Sequence, residues 1–344
     1  MKNNKFIIAT LLVLLIVIAG CKKPVSVQNY ATPVIPNSLS VLTGISANTY
    51  AAMRSQNLFG WGYLVGPFAC GEHTAAEFGN MNLIDDPGTI PYNHPSASDE
   101  CVTNTWDGLY VGVGSANAAL AAADIYATKY APATDSQAIN YIRGESYFLR
   151  AWYYFQLECF YGQKYIDMKQ LASSDSNILG VPLNLALPAS LADANKPRAT
   201  ARQVWTSIIN DLKTATILCP ASWTGTEQQR ATKWAAEGLL GKAFVFTQQW
   251  DSAEKYLGDV ITNSGKSLMS FSDYTQAFND PVASRGNVLT NYGPQKRFNQ
   301  ESLLEIYIQR VPGNGGYGLF GNAPNEYLGT SEGLEWAPSA FGDN

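Results

Sequence analysis

The chain has 344 residues, 23 Lys and Arg against 28 Asp and Glu, a formal charge of −5, and only 15% charged residues. No basic stripe is available, which argues against nucleic acid or an anionic membrane surface as the main partner. With 19 Tyr, 8 Trp and 14 Phe, the composition suits a large packed body in which most rings are core and some are left for a surface.

At the N-terminus, Lys2 and Lys5 flank an apolar run from Phe6 to Ala19 that stops at Gly20-Cys21. A spanning helix needs about 20 apolar residues and a signal-peptide core roughly 7–15, so length and basic flank predict export rather than a membrane span. Ile18-Ala19-Gly20-Cys21 resembles the lipobox of bacterial lipoproteins, which implies removal of residues 1–20 and a diacylglyceryl thioether on Cys21. Each buried methylene contributes about 0.8 kcal/mol, so three acyl chains on the processed terminus hold a protein on a membrane without crossing it. Losing Lys2 and Lys5, and no acid, moves the formal charge from −5 to −7. Residues 21–37, polar and carrying Pro24, Pro33 and Pro36, read as a lipidated tether.

A helical pattern follows from Ser40 to about Asn57. The stretch from Asn57 to Asn104 is rich in Gly, Pro, Asn and Asp and has no clear period; loops of that length are uncommon unless functional, which makes it the first candidate for a binding surface. From Asp99 or Glu100 to Ala123, Trp106, Tyr110, Val113, Asn117 and Leu120 form one helical stripe. Asp135 is the expected N-cap of the next helix, which runs through Ile142, Leu149, Tyr153 and Leu157 to Gly162. Thr200 and Gln203 have capping-box spacing before Val204, Ile208, Leu212, Ala215 and Leu218, and Pro220 ends that helix. Two helices then pair closely, about Thr232 to Gln248 and Asp251 to Asn263, with Gly265 just past the end. Leu240, Gly241, Phe244, Ala253 and Leu257 have tetratricopeptide spacing, with Glu237 where that repeat usually carries Trp. Ser302 to Gln309 alternates like a short strand, and Val311 to Asn344 is rich in Gly, Asn and aromatics.

Taken in order, these pieces resemble the SusD/RagB nutrient-binding family. The resemblance is carried by Trp106-Asp107-Gly108-Leu109-Tyr110 with Ala116-Asn117, by Gly144-Glu145 and Phe148-Leu149-Arg150-Ala151 with Tyr154-Phe155, Leu157 and Gly162, and by Gly180-Val181-Pro182-Leu183. Arg198, Val204-Trp205, Ile208, Asp211-Leu212, Ala215 and Leu218-Cys219-Pro220 continue it, followed by Ala235-Ala236 with the helix pair and by Glu301-Ser302 to Ile306. It implies a mainly α fold, an α-α superhelix of tetratricopeptide-like pairs with long loops and a few short strands. It also implies a lipid-anchored outer-membrane protein, at the cell surface, that captures glycans or other nutrients for a TonB-dependent SusC-like transporter. The expected division is signal peptide 1–20, tether 21–37, an N-terminal helical region 38–220 and a further family-like region 221–344. Members are usually longer, so the resemblance implies that a C-terminal part completing the body is missing. Acidic residues that often follow the lipid cysteine are replaced here by Lys22-Lys23, which weakens the expectation of surface exposure.

The family motifs are architectural rather than catalytic. Glu145 and Arg150 are expected in a structural charge network and Asn117 as an amide satisfied between helices. Sugar recognition needs a flat ring in a loop with amides or carboxylates nearby, and Trp61, Tyr63, Tyr92, Tyr292, Tyr317 and Tyr327 are the candidates. Neither His73 nor His94 belongs to a zinc-protease helix motif, and His73 with Glu77 is a weak metal pair, so no metal or other cofactor is expected. No nucleophile elbow or phosphate loop is present, and an enzyme is not expected. Glycoside hydrolysis through Asp85, Asp86, Asp99 or Glu100 is one rival reading, and a tetratricopeptide scaffold that binds only proteins is another. Cys159 and Cys219 read as buried thiols, whereas Cys70 and Cys101 flank the long loop and leave a bridge open.

Overall fold

The computed structural model describes residues 34–55, 58, 96–164, 166–168, 177–190, 193, 195–224, 229–272 and 300–304, with the backbone alone at Glu100 and Cys101. Within them the elements are α1 (Leu39–Met53), α2 (Glu100–Lys129), a short 3-10 turn (Ala133–Asp135), α3 (Ser136–Tyr161), α4 (Ala201–Leu218), α5 (Lys233–Phe246) and α6 (Trp250–Asn263). Each helix packs mainly against the next in sequence, α1 on α2 through to α5 on α6, which is how consecutive helical hairpins stack into an α-α superhelix. Among the described residues there is no strand, and Leu179 and Thr200 form an isolated antiparallel bridge. Ser302, Leu303 and Leu304, the start of the expected strand, are irregular, and the remainder lies outside the described residues.

The helix starts follow local chemistry. Ser38 accepts from the Val41 N–H to open α1, and Thr200 with Gln203 makes the full capping box of α4. Thr232 accepts from Ala235 N–H at 3.1 Å to open α5. Asp135 stands at the head of α3 but makes no capping hydrogen bond; its carboxylate accepts instead from the Tyr126 hydroxyl at 2.7 Å. A tertiary partner has displaced the expected cap. Helix α2 runs six residues beyond Ala123, because Ala122, Ala123 and Tyr126 pack with Leu42, Ile139 and Ile142 in a small apolar cluster that holds its last turns.

The main core is built on α3, where Leu149, Tyr153, Tyr154, Phe155 and Leu157 are fully buried with Leu109 of α2 and Trp205, Ile208 and Leu212 of α4. Each such side chain contributes roughly 1.5–3 kcal/mol. Phe155 meets Trp205 edge-on at 5.3 Å and Phe246 of α5 at 4.9 Å, joining three helices through one ring. Helices α3 and α4 approach closely at Gly144, where a Cβ would stand 2.8 Å from the Cys219 backbone nitrogen. The α5–α6 hairpin closes as the tetratricopeptide spacing predicts. Ala253 is buried, and a Cβ at Gly241 would lie 2.6 Å from the Leu257 side chain. Gly265, with φ of 71°, ends α6 in the left-handed conformation that favours glycine. Cys159 and Cys219 are free thiols, and burial pushes that of Cys159 up to about 12.

Two glycines of α2 differ in what they face. A Cβ at Gly112 would collide with the buried Tyr153 ring, while at Gly114 it meets nothing within 4 Å. Gly112→Ala should therefore destabilise by about 1–3 kcal/mol through overpacking. Gly114→Ala should stabilise by up to about 1 kcal/mol through helix propensity. Thermal unfolding of the two variants should shift in opposite directions, and equal shifts would show that Tyr153 relaxes freely.

Candidate functional site

Several of the residues that carry the family resemblance, Trp106, Tyr110, Asn117, Arg150, Tyr154 and Arg198, converge on one clamp. Segment 178–187 crosses α2 and α3 without regular secondary structure, so its backbone polar groups need other partners. The backbone of Gln163, Ala199 and Ala201 supplies some at Ile178 to Val181, and side chains supply others. Tyr110 donates to the Pro182 carbonyl at 2.8 Å, and Asn117 Nδ2 donates to the Asn184 carbonyl at 2.7 Å. The Tyr154 hydroxyl accepts from Asn184 N–H at 2.6 Å, and Arg150 Nη1 donates to the Leu185 carbonyl at 2.9 Å. Arg198 donates to the Gly180 and Tyr161 carbonyls, each at 2.6 Å. Trp106 packs on Tyr110 and edge-on against Tyr161, closing the clamp from α2.

At its centre Arg150 makes a bidentate pair with Asp211 of α4, Nε at 2.7 Å and Nη2 at 2.8 Å, and its Nη1 also donates to Asn117 Oδ1 at 2.9 Å. Both ions are buried; burial pushes the Asp211 carboxyl above its usual range while the Arg150 guanidinium pulls the other way. Asn117 is the satisfied amide expected of it. Glu145 and Arg150, however, do not share a network. Glu145, 1% exposed, pairs with Arg230, whose Nε lies 3.0 Å away, and accepts from Tyr50 at 2.6 Å. Five residues apart on a helix, the two side chains point to different neighbours.

Glu158 lies under the same segment and is 5% exposed. Neither carboxylate oxygen makes a hydrogen bond of ordinary geometry, and a Cβ at Gly180 would stand 2.7 Å from Oε2. Burial pushes this carboxyl up to about 7, with the Val181 amide and Arg198 opposing. A raised, buried acid is a feature of many active sites, but glycines at 162 and 180 cover this one and leave no room for substrate.

A cleft of about 200 Å³ opens beside the start of α5. Its walls are the turn after α4 with Trp223, the start of α5 with Thr232 and Trp234, and the paired segments beyond α6. Those segments are joined by Ser267 N–H to the Gln300 carbonyl at 3.0 Å and by Met269 N–H to Glu301 Oε2 at 3.1 Å. Leu303 reaches into the wall beside Gly238, where a Cβ would stand 3.0 Å from it.

The six predicted ring candidates, Trp61, Tyr63, Tyr92, Tyr292, Tyr317 and Tyr327, lie outside the described residues, as do Cys21, Cys70, His73, Glu77, Asp85, Asp86 and His94. Of the carboxylates considered for hydrolysis, Asp99 is described, and it accepts from Ser96 N–H at 2.8 Å in the turn that opens α2. Trp223 and Trp234 were missed by the sequence reading, and no local motif marks them. Among the described residues no cluster of three His, Cys, Asp or Glu side chains is placed to hold a metal ion, and no helix is long and apolar enough to cross a membrane.

Two outcomes follow from the buried charges. Because the Glu158 carboxyl is raised in the folded state, its stabilising protonated form is held fully below about pH 4.5 and lost as pH rises through about 7. Glu158→Gln should therefore gain up to about 3 kcal/mol over the parent at neutral pH, at ~1.4 kcal/mol per pKa unit, with no gain at pH 4. A gain independent of pH, measured by urea unfolding, would remove the carboxyl from the explanation. Arg150→Met should cost about 3–5 kcal/mol by stranding Asp211, and adding Asp211→Leu should recover part of it; an additive double variant would mean that the pair is not coupled.

The comparisons agree with this architecture. Residues 73–245 match the model of a SusD-like family described as "Starch-binding associating with outer membrane". A SusD-like protein of Bacteroides ovatus is 26% identical over 198 residues, 52% of this chain and 32% of the relative. Among solved structures, a SusD superfamily protein of Bacteroides thetaiotaomicron superposes with a TM-score of 0.58 at 17% identity, over 79% of this chain and 53% of that one. A SusD-like carbohydrate binding protein of Bacteroides vulgatus gives 0.54 at 19% identity, over 71% and 48%. The chain thus spans about a third of the length of the curated relative it matches and about half of the solved ones. With half of its residues inside the family model and its helices arranged as in the solved members, the chain belongs to the SusD-like family.

Proposed function

We propose that this chain is the capture component of a glycan uptake system. It is held on the outer membrane, at the cell surface, by lipid on Cys21, binds oligosaccharides or related nutrients without altering them, and passes them to a TonB-dependent SusC-like transporter. The observation that carries the reading is the match of residues 73–245 to a family described as starch-binding and associated with the outer membrane. The arrangement of the described residues supports binding over hydrolysis. Among the described residues, Asp211 is paired with Arg150, Glu145 with Arg230 and Glu237 with Lys233, and Glu158 is covered. In this reading residues 1–20 are removed, 21–37 form the tether, and 38–220 and 221–344 are successive regions of the receptor. Rings at Trp61, Tyr63, Tyr92, Tyr292, Tyr317 and Tyr327 stack on sugar faces while neighbouring amides and acids discriminate hydroxyls. A low fraction of charged side chains suits neutral ligands, whose recognition rests on shape and hydrogen bonds rather than on ion pairing.

Calorimetry with maltotriose and a wider oligosaccharide panel should give saturable binding, no new reducing ends, and about ten-fold weaker binding for Trp61→Ala or Tyr92→Ala. Release of reducing ends would replace the reading by hydrolysis. Binding to proteins with no glycan bound would replace it by a scaffold. Mass spectrometry of protein from membranes should find acylated Cys21 as the first residue, and mild detergent extraction should co-purify a large barrel.

A further inference from the structure

Among the described residues, the cleft beside Trp223 combines indole rings with hydroxyl groups. Trp223 stands at the edge of the cleft, half-buried, yet it is held as firmly as a core residue. Its Nε1–H donates to the Ala231 carbonyl at 2.8 Å, and the Tyr141 ring stands nearly perpendicular to it, centres 5.4 Å apart and planes at 77°. The Arg230 guanidinium covers one face at 3.8 Å from the ring centre, and Arg230 is itself fixed by the buried Glu145. Arg230 does not line the cleft, whereas Trp223 does. Trp223 thus borders the cleft while Arg230 is stacked on its ring from outside the lining. A surface Trp normally loses rotamer freedom when it stacks on a ligand; this one has lost it in folding, which is the physical content of preorganisation.

A ring that only plugged the core would look out on apolar groups or bulk water. This one shares a concave site with a second indole, Trp234, and with the hydroxyls of Thr232 and Ser264. Both hydroxyl oxygens are fixed as acceptors, Thr232 from Ala235 N–H and Ser264 from Lys266 N–H, each at 3.1 Å. Each still has its own proton to donate into the cleft. A fixed indole with a second indole and fixed hydroxyls beside it matches a ligand with an apolar C–H face and a polar rim, which describes a pyranose. A volume of about 200 Å³ is below the roughly 300–1,000 Å³ of drug-sized sites, so it suits one ring and not a chain.

We infer that this cleft, whose lining also includes Lys266, holds a single pyranose residue of a glycan, its C–H face against Trp223 and its hydroxyls toward Thr232 and Ser264. The inference rests on the reading of the chain as glycan-binding and assigns binding to residues other than the predicted loop rings. It gives a long glycan a second point of attachment, which raises overall affinity through effective concentration where the spacing fits.

The test is titration of the chain, without residues 1–20, with methyl α-glucopyranoside, methyl β-galactopyranoside and maltotriose, following indole N–H signals by NMR. Trp223→Phe and Trp234→Phe assign the two signals. Both should move saturably with at least one sugar and not with adenosine. Trp223→Ala should weaken that binding ten-fold or more, and Trp223→Phe, which keeps a ring face, by less. If calorimetry detects glycan binding but the two signals stay fixed, this site is wrong and glycan capture stands. If the panel binds nowhere, both are wrong. If adenosine moves the signals as strongly as sugar, the cleft selects flat aromatic ligands and the pyranose assignment fails. The titration of the unaltered chain decides among these even where an alanine variant does not fold.

Discussion

The described body depends on a guanidinium placed where water does not reach. Arg150 is held from three directions: Asp211 of α4 neutralises it, Asn117 of α2 accepts from it, and the Leu185 carbonyl takes a further N–H. Desolvating two ions costs several kcal/mol each, and that cost is offset only when geometry is good and the remaining protons find acceptors. The planar fork of arginine meets both conditions where the point charge of lysine would not. The pair favours one relative placement of α2, α3 and α4, since moving any of the three leaves a buried polar group without its partner.

That placement explains why segment 178–187 can be irregular and yet ordered. Its first residues bond to the backbone of residues 163 and 199–201, and Tyr110, Asn117, Tyr154, Arg150 and Arg198 add side-chain partners along it. Several of the residues that carry the family resemblance are thus parts of one clamp, while Glu145 is bound by Arg230 and Tyr50. They leave the chemistry of recognition to other positions.

A second polar chain runs outward from the core. Glu145 binds Tyr50 and Arg230, Tyr50 accepts from Ala231 N–H at 2.8 Å, and Arg230 lies on Trp223. A buried carboxylate on α3 thereby sets the position of a ring at the surface. Burial, and next the charge of Glu145, push the Tyr50 hydroxyl well above its usual range, so it stays protonated and keeps both bonds.

Sequence periodicity was enough to place the helices, because an apolar stripe at three- and four-residue spacing has to be covered and the capping residues Thr200 and Thr232 act within one turn. The close approach at Gly241 was legible for the same reason: small residues facing one another across a hairpin allow it. By itself the sequence also determined the family, since the clamp residues recur in order at fixed spacing. It did not reveal who pairs with whom. Glu145 and Arg150 look like neighbours along α3, but their partners are 85 and 61 residues away. The displacement of Asp135 by Tyr126, the extension of α2 and the cleft between Trp223 and Trp234 were likewise decided only in three dimensions. Local rules act through a few covalent bonds, whereas ion-pair partners and concave surfaces depend on which helices meet, and that is fixed by the packing of the whole core.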